Sequence, residues 1–101
     1  MTVKLETVDT FGTVKIGNLV ESEDNPRKTY DDQAFKDLVE SIREKGILTP
    51  LLVRRVKNKM QILAGSRRFR ASTELKLKTI PVKVVEANDN TALELMIIEN
   101  L

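Results

Sequence analysis

This chain of 101 residues contains no cysteine and no histidine. Without cysteine there is no disulfide framework, no thiol nucleophile and no thiolate metal site. Without histidine the commonest general base and zinc ligand is missing as well. There is no apolar run long enough for a transmembrane helix, and no signal-peptide pattern at Met1-Thr2-Val3-Lys4, so the expectation is a soluble, cytoplasmic protein with no membrane partner. Neither sign of charge dominates. Seventeen basic against 15 acidic residues leave +2, so bulk charge argues neither for nor against nucleic acid, and any basic surface must be local. No internal repeat or low-complexity segment appears, and the length suits one domain with a modest two-layer core.

The most informative stretch present is Gly65-Ser66-Arg67-Arg68-Phe69-Arg70-Ala71. An apolar strand, Met60-Gln61-Ile62-Leu63-Ala64, runs through a glycine directly into a helix whose first turns carry three arginines. Gly65 can take a positive φ without a Cβ penalty. The amides of the helix start then present partial positive charge, an arrangement suited to an anion. The same arginines also read as an ordinary solvated helix face. Phe69 is assigned to the core rather than to base stacking, and Lys57, Lys59, Lys76 and Lys78 to solvated surface.

Around this motif the chain alternates strands and helices. Residues 1–12 read as a loosely held arm that could add an edge strand, and Thr13 to Ile16 as a short strand. Glu21 to Lys28 is polar and contains Pro26, which pushes Asn25 into an extended conformation, so this stretch is a loop. A helix is expected from Asp32 to Lys45 with Asp31 as its cap. Phe35, Leu38, Val39 and Ile42 form one stripe expected to face a sheet. Gly46 ends this helix as a left-handed cap, and strands follow at Leu51 to Val56 and Lys59 to Ala64, joined by a tight turn at Lys57-Asn58. The arginine helix spans roughly Ser66 to Leu75, a buried strand Thr79 to Val85, and a last helix begins near Asn90 with Leu93, Met96, Ile97 and Asn100 on one face. That helix has more apolar positions than one face can bury, so a covering surface is expected: a partner, a dimer contact or, favoured here, a continuation of the chain. The order specifies an α/β fold, a small mixed sheet with covering helices. Ligands in such sheets collect at the carboxyl ends of strands, where Gly65 lies.

Five pieces, Asn25-Pro26-Arg27-Lys28, Ser41 to Leu51, Ala64 to Ala71, Ile80-Pro81-Val82 and Ile98 to Leu101, together resemble in order and spacing the N-terminal domain of ParB-type partition proteins. Sulfiredoxins share that fold. The resemblance covers about residues 14 to 101 and implies a domain that binds CTP with Mg2+ and closes as a clamp around DNA in chromosome or plasmid segregation. It implies a homodimer in the full-length protein, a ParA-type ATPase partner met by the arm Met1 to Phe11, and association with a nucleoid or plasmid. It assigns Asn25, Pro26 and Arg27 to a first nucleotide-contacting box. Gly65, Ser66, Arg67 and Arg68 become the phosphate loop, Glu99 and Asn100 the box beside the metal, and Arg67 and Arg70 DNA contacts. It implies that residues 13–101 are the ParB-like domain after the arm 1–12, with the helix-turn-helix and dimerisation segments of the family expected to lie outside these residues. The assignments suit the residues: amides and Arg forks match a polyphosphate, and one carboxylate with one amide is a sparse set of the kind magnesium accepts when phosphates and water supply the rest.

At one position the chain departs from the family. ParB proteins usually carry Gly-Glu-Arg-Arg where this chain has Gly65-Ser66-Arg67-Arg68. The family glutamate is linked to metal handling and hydrolysis, and a serine hydroxyl is neither a carboxylate ligand nor a base at neutral pH. Binding without turnover is the expectation, with at most a weak CTPase. In sulfiredoxins the matching residue is the reactive cysteine, and Ser66 has no histidine to activate it. Two other functions fit the same residues: a nucleotide-dependent enzyme or nuclease on this fold, with Glu99 and the loop's Glu23 or Asp24 as its few carboxylates, and a nucleotide-independent protein-interaction module.

Overall fold

A computed structural model of the chain describes residues 10–23 and 31–99. Its elements run β1 (Thr10–Lys15), a 3-10 turn (Ile16–Asn18), β2 (Leu19–Glu21), α1 (Asp32–Lys45), β3 (Leu51–Val56), β4 (Lys59–Ala64), α2 (Ser66–Glu74), β5 (Thr79–Val84) and α3 (Asp89–Glu99). The strands form one sheet in the order β1-β5-β3-β4-β2. The β3–β4 hairpin and the β1–β5 pair are antiparallel, whereas β3–β5 and β2–β4 are parallel. This is the mixed α/β architecture expected.

Both faces of the sheet are buried, for a reason visible in β4. Successive strand residues point to opposite faces, and Ile62 joins the cluster of Leu19, Leu51, Val53, Ile80 and Val82 while its neighbour Leu63 joins Val85, Ala92 and Met96. Phe69 packs against the first cluster, as a core anchor should. Helix α1 starts where Asp31 accepts the Ala34 N–H at 2.8 Å and ends where the Gly46 N–H reaches the Ile42 carbonyl at 2.8 Å. Gly46 has φ 74° and ψ −171°, so its positive φ is as expected but its ψ is extended rather than left-handed helical.

The structure differs from the sequence reading in further places. Strand β1 begins at Thr10, three residues before the expected Thr13, and all six of its residues pair with β5. β2 is a strand that the pattern does not announce. The α1 stripe packs on α2, with Val39 and Ile42 clustering with Ala71 and, at the margin, Leu75 and Leu77; the sheet lies beyond. On α3 the buried residues are Thr91, Ala92 and Met96, whereas Leu93 and Ile97 are exposed. Helix α3 starts one residue earlier than expected, fixed by Asn88 accepting the Thr91 N–H at 2.8 Å. Arg54 ties that start to the hairpin. Its guanidinium donates to the Gln61 side chain at 2.7 Å and the Ala87 carbonyl at 3.1 Å, and lies 3.0 Å from the Asp89 carboxylate.

Helix α2 ends in a Schellman motif: the Lys76 N–H reaches the Thr73 carbonyl and the Leu77 N–H the Ser72 carbonyl, at 3.0 and 3.1 Å. The residue that turns the chain there is normally glycine, but here it is Lys76 with φ 59°. Replacing Lys76 by glycine removes the Cβ penalty of the left-handed conformation. Lys76→Gly should therefore stabilise the fold by about 1 kcal/mol, read as a higher urea midpoint with an unchanged slope.

Candidate functional site

The turn at the carboxyl end of β4 is held by a tight contact. Gly65 has φ 108° and ψ 21°, and a Cβ there would lie 2.7 Å from Leu51 Cγ and 3.1 Å from Arg68 Nη2. No side chain fits between the fully buried Leu51 and the arginine. The backbone therefore passes directly beneath the Arg68 guanidinium. Helix α2 begins at once, its first bond running from the Phe69 N–H to the Gly65 carbonyl at 2.9 Å, and its amino-terminal amides carry the partial positive charge of a helix start. Ser66 is buried at the first helical position.

Arg68 turns back across this junction. Its Nη1 donates to the carbonyls of Thr49 and Pro50, the last residues before β3. Among the described residues the other donors of the fork, Nε and Nη2, make no hydrogen bond. Burial pulls the guanidinium's pKa below its ordinary value, and the carboxylate of Glu99 partly offsets this. The group stays a cation at neutral pH, since a guanidinium is not deprotonated in proteins. That interaction places Glu99, at the end of α3, in the neighbourhood of the β4–α2 turn.

A groove of about 300 Å³ opens beside Arg68, lined by Leu38, Ser41 and Ile42 of α1 and by the 46–49 turn. Sequence reading gives this turn no binding role. Its signal was the conjunction of Gly46 with Thr49-Pro50: a glycine-terminated helix followed within four residues by a proline leaves a short, irregular backbone segment with polar groups facing outward.

The remaining site residues fall into separate places. Arg70, expected at DNA, is held by Glu21 of β2 in a two-pronged pair, Nε to Oε1 and Nη2 to Oε2, both at 2.8 Å. Its partner lies 49 residues away in the chain. Arg67 is half-buried on the first turn of α2. Asn25, Pro26, Arg27 and Asn100 lie outside the described residues. Among the described residues no three acidic side chains converge as a metal cage would require, and no helix is long and apolar enough to cross a membrane.

Comparison with known proteins gives this geometry a family. Residues 2–101 match the ParB N-terminal domain. The probable chromosome 1-partitioning protein ParB of Deinococcus radiodurans is 42% identical over 89 residues, covering 88% of this chain and 31% of that protein. Among solved structures, C-terminally truncated ParB from Caulobacter crescentus complexed with CTP-gamma-S superposes with a TM-score of 0.84 at 42% identity, over 91% of this chain and 53% of that one. The same protein complexed to the centromeric parS site gives 0.76 at 38% identity, over 88% and 46%. Sulfiredoxin from Arabidopsis thaliana, at 23% identity and a TM-score of 0.70 over 86% of this chain and 97% of that one, shares the fold. The chain belongs to the ParB N-terminal domain family and spans about three-tenths of the length of the curated relatives it matches.

The Gly65 contact makes a direct test of the site's construction. Gly65→Ala forces a Cβ into Leu51 Cγ at a φ that alanine avoids, and should cost about 2 to 4 kcal/mol of stability, measured by urea denaturation.

Proposed function

We propose that this chain is the nucleotide-operated clamp module of a ParB-type partition protein, binding CTP at the β4–α2 turn and contacting DNA without reading its bases. The observation that carries the reading is Arg68. A half-buried guanidinium sits over a glycine turn and a helix N-terminus, bonded to two backbone carbonyls through Nη1 with Nε and Nη2 left to meet an anion. A phosphate arriving there would accept from those donors and from the first amides of α2, the charge-assisted pairing that Arg forks favour. The adjoining groove is about the smallest size that small-molecule sites occupy, roughly 300 Å³, and suits a single pyrimidine nucleoside, with the Ser41 and Thr49 hydroxyls as candidate partners for its polar edge. Support from outside the chain comes from the Caulobacter crescentus relative complexed with CTP-gamma-S.

Asn25, Pro26 and Arg27 would complete the nucleotide site from the loop that follows β2. The Arg70–Glu21 pair fastens the end of β2 to α2, so the chain leaves for that loop beside the phosphate turn. Magnesium accompanying the nucleotide would find Glu99 and the Asn100 amide as this chain's contribution, with phosphate oxygens and water filling the other positions. With Ser66 in place of a carboxylate, the domain would hold CTP as a ligand and turn it over weakly. DNA contact would involve Arg67, and Arg70 only if it exchanged Glu21 for a phosphate. The working form would be a homodimer within a longer cytoplasmic, nucleoid- or plasmid-associated protein, with a ParA-type ATPase meeting the arm Met1 to Phe11.

Calorimetry with CTP, ATP and GTP, with and without magnesium, tests the reading; selective, magnesium-dependent CTP binding is expected, and silence towards all three overturns it. Arg68→Ala should weaken CTP binding by about 2 to 4 kcal/mol, because it leaves a phosphate charge unpaired. Ser66→Glu should raise CTP hydrolysis, followed as phosphate release; no gain would mean that the serine is not what limits turnover.

A further inference from the structure

At the other end of β4 from Gly65, the β3–β4 hairpin turns through Lys57 and Asn58, and here the chain concentrates positive charge. Between residues 49 and 83 there are ten basic residues and a single acidic one, Glu74. The rest of the chain therefore carries most of the acid. At the hairpin this imbalance becomes a shaped feature: a depression of about 150 Å³ lined by Arg55, Lys57 and Lys59, by the amides of Asn18 and Asn58, and floored by Val14 and Met60. Among the described residues no carboxylate lines it. Lys59 Nζ donates to the Gly17 carbonyl at 3.2 Å, and among the described residues Arg55 and Lys57 make no ion pair or hydrogen bond. Arg54 and Arg70, by contrast, are each matched to an acid.

A second observation concerns the backbone. Lys57 has φ 58°, the left-handed region where a residue with a Cβ costs about 1 to 2 kcal/mol relative to glycine. The two-residue loop between Val56 and Lys59 sets that conformation, because tight hairpin turns place their first central residue at positive φ. The position holds an exposed lysine in the turn of the hairpin.

We infer that the hairpin depression formed by Arg55, Lys57, Lys59, Asn18 and Asn58 is a second anion site, which grips the phosphate backbone of duplex DNA. β4 is six residues long, so this site lies about 20 Å from the nucleotide turn at the usual strand rise. Three cations with two amide donors fit phosphate oxygens, and the small volume accepts a phosphate group at a time. An acidic protein surface or an anionic membrane would need apolar anchors beside the charge, and among the described residues the exposed large apolar side chains, Phe11, Val20, Leu48, Leu93, Ile97 and Ile98, all lie outside the depression. The inference deepens the DNA-contact part of the proposed function and moves it off Arg70, whose charge Glu21 already holds.

The test is fluorescence anisotropy of the 101-residue chain with a labelled duplex of arbitrary sequence, titrated across potassium chloride concentrations, beside CTP calorimetry on the same samples. Arg55→Gln/Lys57→Gln should weaken DNA binding about tenfold at low salt and flatten the log–log salt slope by about 0.9 for each phosphate no longer neutralised. CTP affinity should not change. Lys36→Gln/Lys45→Gln, which removes the same charge from α1, should leave the slope intact. Lys57→Gly separates fold from function, because it relieves the left-handed strain while deleting the cation: Tm should rise as DNA affinity falls. DNA affinity unchanged in Arg55→Gln/Lys57→Gln, equal losses in the α1 control, or absence of DNA binding by the parent chain would each overturn the inference while leaving the CTP result to judge the nucleotide site. So would binding of the chain to phosphatidylglycerol vesicles without binding to DNA.

Discussion

The site and the core of this domain meet at one contact, the bare Cα of Gly65 lying between Leu51 and the Arg68 guanidinium. Leu51 is fully buried at the start of β3, so the surface on which the chain turns is as rigid as the sheet itself. Arg68, bonded to the carbonyls of Thr49 and Pro50, closes the junction from above. Three segments are thereby fixed to one another: the approach to β3, the end of β4 and the start of α2. The proposed anion site, made of backbone amides, needs that rigidity, since amides that drift lose both direction and dipole. Here the packing of an aliphatic side chain supplies it.

Arginines of the same type are put to different uses by what surrounds them. Arg54 bridges the hairpin and α3, and Arg70 bridges β2 and α2, each with a carboxylate opposite. Their charges are neutralised where they stand, and the pairs act as fasteners. Arg68 instead meets carbonyl oxygens, which orient a guanidinium without cancelling its charge. Its field therefore extends into the neighbouring groove, moderated by Glu99. A chain with a net charge of only +2 can in this way present strongly positive sites, because much of its remaining arginine is matched internally.

The features that could be read from the sequence were those that depend on local chemistry. Asp31 before an apolar stripe caps α1, Lys57-Asn58 turns the hairpin, and Gly65 before the arginines has the positive φ expected of it. Features that depend on distant partners were hidden. Leu19 to Glu21 is too short to show alternation and becomes a strand only because β4 lies alongside it. Periodicity identified the buried stripe of α1 but could not say that α2 would cover it. Arg70 read as a free cation because its partner, Glu21, is remote in the chain. The groove beside Arg68 was hidden for the same reason: it exists only where α1, the 46–49 turn and α2 are brought together.

The strand order has a further consequence for how the molecule is made. Among the described residues β1 has a single neighbour in the sheet, β5, so that Thr10 lies opposite Val84. During synthesis the first strand must wait for nearly the whole domain to leave the ribosome before its hydrogen bonds can form. Pairings so distant along the chain are slow to close. Until then the hairpin and the two helices following β2 are the parts able to assemble, which makes the β4–α2 turn one of the earliest structures within reach and the β1 edge of the described sheet the last.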